Sequence, residues 1–143
     1  MKKSFSVLVF FLFSCLAYGL ETVSFDLYLF GDKIGITTIT REVAPDGSEV
    51  YHLDSKAKAK FLWINRENHT QYKVVYKEGK LISSKVLDID NNQGKKWTNV
   101  IWDGTKYLVD SYKGKFSFTE VPTFSVVCVF FKDITKVKRI FYE

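Results

Sequence analysis

Cysteine, histidine, proline and methionine are all scarce in this chain of 143 residues. The two cysteines, Cys15 and Cys128, are too few for a disulfide framework. The two histidines, His52 and His69, have no second histidine three or four residues away, and a zinc site needs three or four ligands. Prolines stand only at 45 and 122, so nothing blocks strand pairing over long stretches. The longest early apolar run, Phe5 to Leu16, is shorter than the ~20 residues that cross a bilayer as a helix, and Ser14 interrupts it. Titratable groups do not cluster in sequence. Acid–base chemistry would need folding to bring together pairs such as Asp54 with Glu67 or His52 with Asp110, and an enzyme is not expected.

What is present first is a leader. Lys2 and Lys3 precede the apolar run, and Ala17-Tyr18-Gly19 has the small-x-small form of a signal peptidase site, which predicts a signal peptide over 1–19 and cleavage after Gly19. Leu12-Phe13-Ser14-Cys15 offers the competing reading of lipidation at Cys15. The chain is therefore expected to be exported, to the periplasm or cell envelope or into the medium, with no membrane span after cleavage. Removal of 1–19 leaves 124 residues, one domain over 20–143, with 19 basic and 16 acidic side chains, a net charge of +3. That spread-out excess is unlike the clustered basic face of a nucleic-acid binder. Cys128 is left as a lone thiol among Val126, Val127, Val129 and Phe130, a setting for a small buried apolar residue.

The mature part is rich in Val, Ile, Thr and aromatics, with turn signals at short intervals: Gly31-Asp32, Pro45-Asp46-Gly47, Glu78-Gly79, Asn91 to Gly94, Asp103-Gly104 and Lys113-Gly114. From 50 to 61, Tyr51, Leu53, Ala57, Ala59 and Phe61 alternate with His52, Asp54, Lys56, Lys58 and Lys60 at a period of two. Residues 70–77 repeat the alternation until Val75. Between Ile36 and Ile39 the apolar parity switches, as it does within 81–89, which predicts bulges and a curved sheet. The expected fold is mainly β: a single curved antiparallel meander, half-barrel-like, with one short helix near the C-terminus. Phe124, Val127, Cys128 and Phe131 fall at helical spacing after Thr123, a credible N-cap, so a helix there is expected to plug the open side of the sheet. Ile140-Phe141-Tyr142 close the chain without a cap, which predicts either a last strand or a shortened domain with an open edge.

Small side chains on the buried face of a curved sheet leave volume. Ala57, Ala59 and Phe61, with Phe124 and Phe131, are therefore the candidate binding residues for an apolar or lipid-like ligand. Lys56, Lys58 and Lys60 form a candidate basic patch for lipid phosphates or an acidic envelope protein. Trp97 and Trp102, interleaved with Lys95, Lys96 and Lys106, differ in parity and should face opposite sides, one toward the core. Asp88, Asp90 and Asn92 have calcium-loop spacing, but Gln93 stands where the loop demands glycine and Asn99 where it demands glutamate, so a hairpin turn is expected and no metal. No cofactor motif is present.

Phe25-Asp26-Leu27-Tyr28, the Gly31-Asp32-Lys33-Ile34-Gly35 turn, Tyr72 to Tyr76 with Gly79, Leu81, Ser83 and Ser84, and Pro122 to Val127 resemble a family of exported bacterial β domains of unknown function. The resemblance implies a curved antiparallel sheet with a helix in its concavity, similar in outline to the half-barrels of periplasmic lipoprotein carriers. It also implies further strands beyond Tyr142, and it carries over no functional residue. The expected role is binding, of an apolar ligand in the concave face, with docking through an open sheet edge as the alternative.

Overall fold

The structure, a computed structural model, describes residues 19–61, 63–122 and 126–131. The leader up to Tyr18, Phe124 and the apolar end at 140–142 lie outside the described residues. Eight strands follow one another: β1 (Leu20–Leu29), β2 (Asp32–Val43), β3 (Glu49–Phe61), β4 (Ile64–Lys77), β5 (Lys80–Asp90), β6 (Gly94–Trp102), β7 (Tyr107–Ser111) and β8 (Gly114–Phe118). Each pairs antiparallel with the next, and among the described residues β1 and β8 are open edges. No α-helix occurs there. The segment Val126–Phe131 forms a short 3-10 helix, a geometry suited to brief runs whose β-branched valines crowd an α-helix.

Turn chemistry makes the meander. At Phe30-Gly31 and Glu78-Gly79 both central residues have positive φ, 52° and 92° in the first and 52° and 74° in the second. This is the two-residue primed turn whose twist matches that of paired strands. Register shifts fall between Leu27 and Tyr28 and between Val75 and Tyr76, so Ile34 in β2 and Ile82 in β5 are the extra residues. The parity break read in 81–89 is thus a bulge. In β2 the irregularity sits at Ile34 and not between Ile36 and Ile39. Ile36 simply faces outward, 43% exposed, while Ile39 is fully buried.

The core lies on one face. Tyr51, Val74, Tyr76, Leu81, Tyr107, Val127 and Cys128 form a contiguous buried cluster, with Leu53, Tyr72, Val100, Trp102, Phe118 and Phe131 packed around it. Tyr107 Oη donates to the Leu81 carbonyl at 3.0 Å, reaching from β7 over β6 to β5. Strands two apart in a flat sheet are about 10 Å from each other, so the Tyr107 side chain lies across β6 to reach β5, a bond that a bend toward the buried face would favour. Aromatic pairs lock the bend: Tyr107 stacks on Phe118 at 5.0 Å, and Tyr51 meets Tyr76 edge-on at 6.3 Å. Each such pair contributes about 0.5–1.5 kcal/mol beyond its area.

Candidate functional site

The inner face is apolar at one end and polar at the other. Along β3 and β4 the inward pairs run Tyr51 with Val74, Leu53 with Tyr72, Ser55 with Thr70, Ala57 with Asn68 and Ala59 with Arg66. The same change occurs along β5, from Leu81 and Ser84 through Val86 to Asp88 and Asp90. Where the two halves meet, a trough of about 720 Å³ lies over β4 to β8. Tyr72, Tyr76, Leu81, Val86, Val100, Val109, Phe116 and Phe118 line it, with Thr70, Asp88 and Lys96 at the polar end and Pro122 beside Phe118. Phe116 is 62% exposed on the short edge strand β8, an apolar lip left in water.

The polar end is tightly bonded. Asp88 Oδ1 accepts from Asn68 Nδ2 and Thr70 Oγ1, both at 2.7 Å. Lys96 Nζ donates to Gln93 Oε1 at 2.6 Å. Asp90 is buried; its Oδ1 accepts the backbone N–H groups of Asn92 and Gln93, and its Oδ2 accepts Arg66 Nε at 2.9 Å. The Asn92 backbone bond, followed by Arg66, holds the Asp90 carboxyl below its usual range. Of the carboxylates with calcium-loop spacing, Asp90 is therefore committed to the hairpin turn and Asp88 to side chains of β4, and among the described residues no three His, Cys, Asp or Glu side chains converge on a metal position.

The residues singled out from sequence are spread over three places. Ala57 and Ala59 occupy inward register positions, and Phe61 closes β3 opposite Ile64. Ala57 lines a separate hollow of about 730 Å³ with Gly35, Ile36, Lys56, His69 and Ile89, outside the trough. Phe131 packs on Tyr51 at 6.0 Å. At about 3.3 Å per strand residue, Tyr51 is about 20 Å from Ala57, so Phe131 does not fill the space beside the alanines. Lys56, Lys58 and Lys60 are exposed on the outer face, but Lys56 lies 3.8 Å from Asp54 and Lys58 3.6 Å from Glu67, so two of the patch's three charges have a carboxylate beside them. Cys128 is buried and in no disulfide among the described residues.

On the outer face Asp54 Oδ2 accepts from Gln71 Nε2 at 2.9 Å and lies 2.9 Å from His69 Nε2. The histidine, then the glutamine, lowers the Asp54 carboxyl. Burial, then the charge of Lys73, lowers the pKa of His52. Glu67 and Asp110 pair with Lys58 and Lys115, and among the described residues no bond links Glu67 to Asp54 or Asp110 to His52. Trp102 turns inward, 4.8 Å from Tyr107 with Lys80 Nζ 3.3 Å over its ring. Trp97 pairs with Leu87 on the opposite side, as their parity requires.

Sequence reading did not find Val86, Val100 or Phe116. The period-two pattern of β6, with Lys96, Thr98, Val100 and Trp102 on one side, carried a signal, but mixed polarity on both faces hid which side was inward. No curated protein matches the chain, and no solved structure does. A family model described as a domain of unknown function matches residues 25–143. A chain matched over nearly its whole described sheet, from the Phe25 strand onward, belongs to that family, DUF6134.

Proposed function

We propose that this domain is exported by its leader and works by binding, not catalysis, holding an apolar or lipid-like ligand along the inner face of its open sheet. The trough carries the reading. Its volume of about 720 Å³ falls within the span of small-ligand pockets, about 300–1,000 Å³. Its walls are mostly aromatic and aliphatic, with Thr98 and Ser111 midway, and its charged groups Asp88, Lys96 and Lys113 stand toward one end, the distribution that suits a chain with one polar head. The exposed Phe116 at the lip is an apolar surface that a ligand would cover.

Native mass spectrometry of protein purified from its own compartment, without refolding, tests this reading. A bound lipid mass is expected. Val100→Trp, which fills the trough from β6, should abolish that mass while leaving the β-type circular dichroism intact. Ligand-free protein in every preparation would overturn the proposal.

An alternative, docking of an envelope protein through a sheet edge, is favoured by one observation. Strand β1 has a neighbour on one side only among the described residues, and it leads into exposed Tyr28, Leu29 and Phe30. Such an edge is a template for strand addition. Recovery of one stoichiometric partner from envelope extract, lost on Ser24→Pro, would favour this alternative over the carrier. The other candidate edge, 137–142, lies outside the described residues.

A further inference from the structure

The outer face carries a second feature that the trough does not use. Lys73 on β4 and Lys85 on β5 stand directly opposite each other, both exposed. Like charges placed this way repel. Among the described residues neither ends in an ion pair, and neither does exposed Lys95 on β6. The nearest acids on this face are already engaged: Asp54 with His69 and Gln71, Asp110 with Lys115.

Trp97 lies between these cations. It pairs with Leu87, so Lys85 is its diagonal neighbour across the ladder and Lys95 its neighbour two residues back on the same face. Both positions are about 7–8 Å away at the backbone, within reach of a lysine side chain. The indole is half-buried, and no ring or lysine stacks on it among the described residues. Together with the amides of Gln71 and Asn99, these side chains line a shallow groove of about 500 Å³.

We infer that this groove binds a strand of acidic polysaccharide, one uronic acid ring stacking on Trp97 while Lys73, Lys85 and Lys95 take its own and its neighbours' carboxylates. Each component answers to that chemistry. A flat indole matches the apolar face of a sugar ring. Amide side chains donate to and accept from hydroxyls, and lysines on both sides of the ring suit a repeating anion. A membrane surface would call for apolar side chains that protrude and insert, whereas Trp97 and Leu87 are half-buried in a groove. Single-stranded nucleic acid favours a series of stacking rings, and here there is one. The groove lies on the opposite side of the sheet from the trough, so the inference stands whether or not the trough holds a lipid.

Titration of the intact protein with hexagalacturonate, followed by calorimetry and tryptophan fluorescence, tests the inference. Binding should quench or shift the emission and weaken as salt is added. The fully methyl-esterified hexamer, which lacks the charges, should bind at least tenfold more weakly. Lys85→Glu with Lys95→Glu should lose at least tenfold, as should Trp97→Ala, whereas Lys56→Glu, elsewhere on the same face, should bind as the wild type does. The surface double substitution keeps the test decisive if Trp97→Ala does not fold. Absence of binding at millimolar hexagalacturonate, equal binding of the esterified form, or indifference to the double substitution would each overturn the inference. Tighter binding to phosphatidylglycerol vesicles or to oligo(dT) than to hexagalacturonate would do the same.

Discussion

Gly35 offers a test of how closely the sheet is built. It sits in β2 opposite Ala57 of β3, beside the bulge at Ile34. A Cβ added there would overlap the Lys56 carbonyl oxygen and lie 2.8 Å from Ala57 Cα and 3.0 Å from the Lys56 carbonyl carbon. Ordinary contacts begin near 3.4 Å. All three obstacles are backbone, so no side-chain rotation relieves them; the strands must part at this point and weaken their ladder. Overpacking of this kind costs about 1–3 kcal/mol, and the overlap places Gly35→Ala at the upper end, about 3 kcal/mol. The entropy that alanine removes from the unfolded chain returns only about 0.4–1 kcal/mol. The net loss, about 2 kcal/mol or more, is a large share of a stability of about 5–15 kcal/mol.

Gly79 supplies the contrast. An added Cβ there meets nothing within 4 Å, but its φ is +74°. Its cost is conformational, about 1–2 kcal/mol for alanine, and less for asparagine, which tolerates the left-handed region. Urea unfolding followed by circular dichroism should therefore rank the pairs oppositely. At position 79 asparagine should recover stability relative to alanine, and at position 35 it should lose more. A Gly35→Ala midpoint equal to that of the wild type, or an asparagine better than alanine at 35, would refute the close-approach argument.

Replacing Glu78 by Asn gives the β4–β5 turn the Asn-Gly pair that its two positive φ angles favour, and should raise stability by about 0.5–1 kcal/mol at unchanged urea m-value; no gain would count against the turn geometry. Tyr107→Phe removes the bond to the Leu81 carbonyl and should cost about 1 kcal/mol at neutral pH. Burial raises the phenol pKa of both Tyr51 and Tyr107 in the folded state, so folding favours the protonated form. That contribution is complete below the unfolded value of about 10 and is lost as pH rises above it, so the urea midpoint should be level to about pH 9.5 and then fall. Tyr107→Phe should make the fall shallower. An unchanged alkaline slope would show that Tyr107 is solvated.

The strands were legible because their periodicity and turns are local. Tyr51 to Phe61 shows its alternation without reference to any partner, and glycine marks the turns at 31 and 79 because a positive φ excludes most side chains there. The binding surfaces were much less so. Ala57 and Ala59 share the inward parity of Tyr51, but parity says nothing of distance along a strand, and the alanines lie at the polar end. The trough needs Tyr72, Val100 and Phe116 from three separate strands. The Trp97 groove likewise needs Lys73, Lys85 and Lys95, which are far apart in sequence and were read only in part.

Sequence alone determined that the chain makes paired strands with one apolar face, that Trp97 and Trp102 look opposite ways, and that Cys128 suits burial, because each depends on the residue and its immediate neighbours. Tertiary structure alone decided that the inner face divides into an oily and a polar half, and that Asp54 meets His69. It also left three lysines around an indole without counter-charges among the described residues. Register and bending settle which side chains from distant strands share a surface, and no local pattern encodes either.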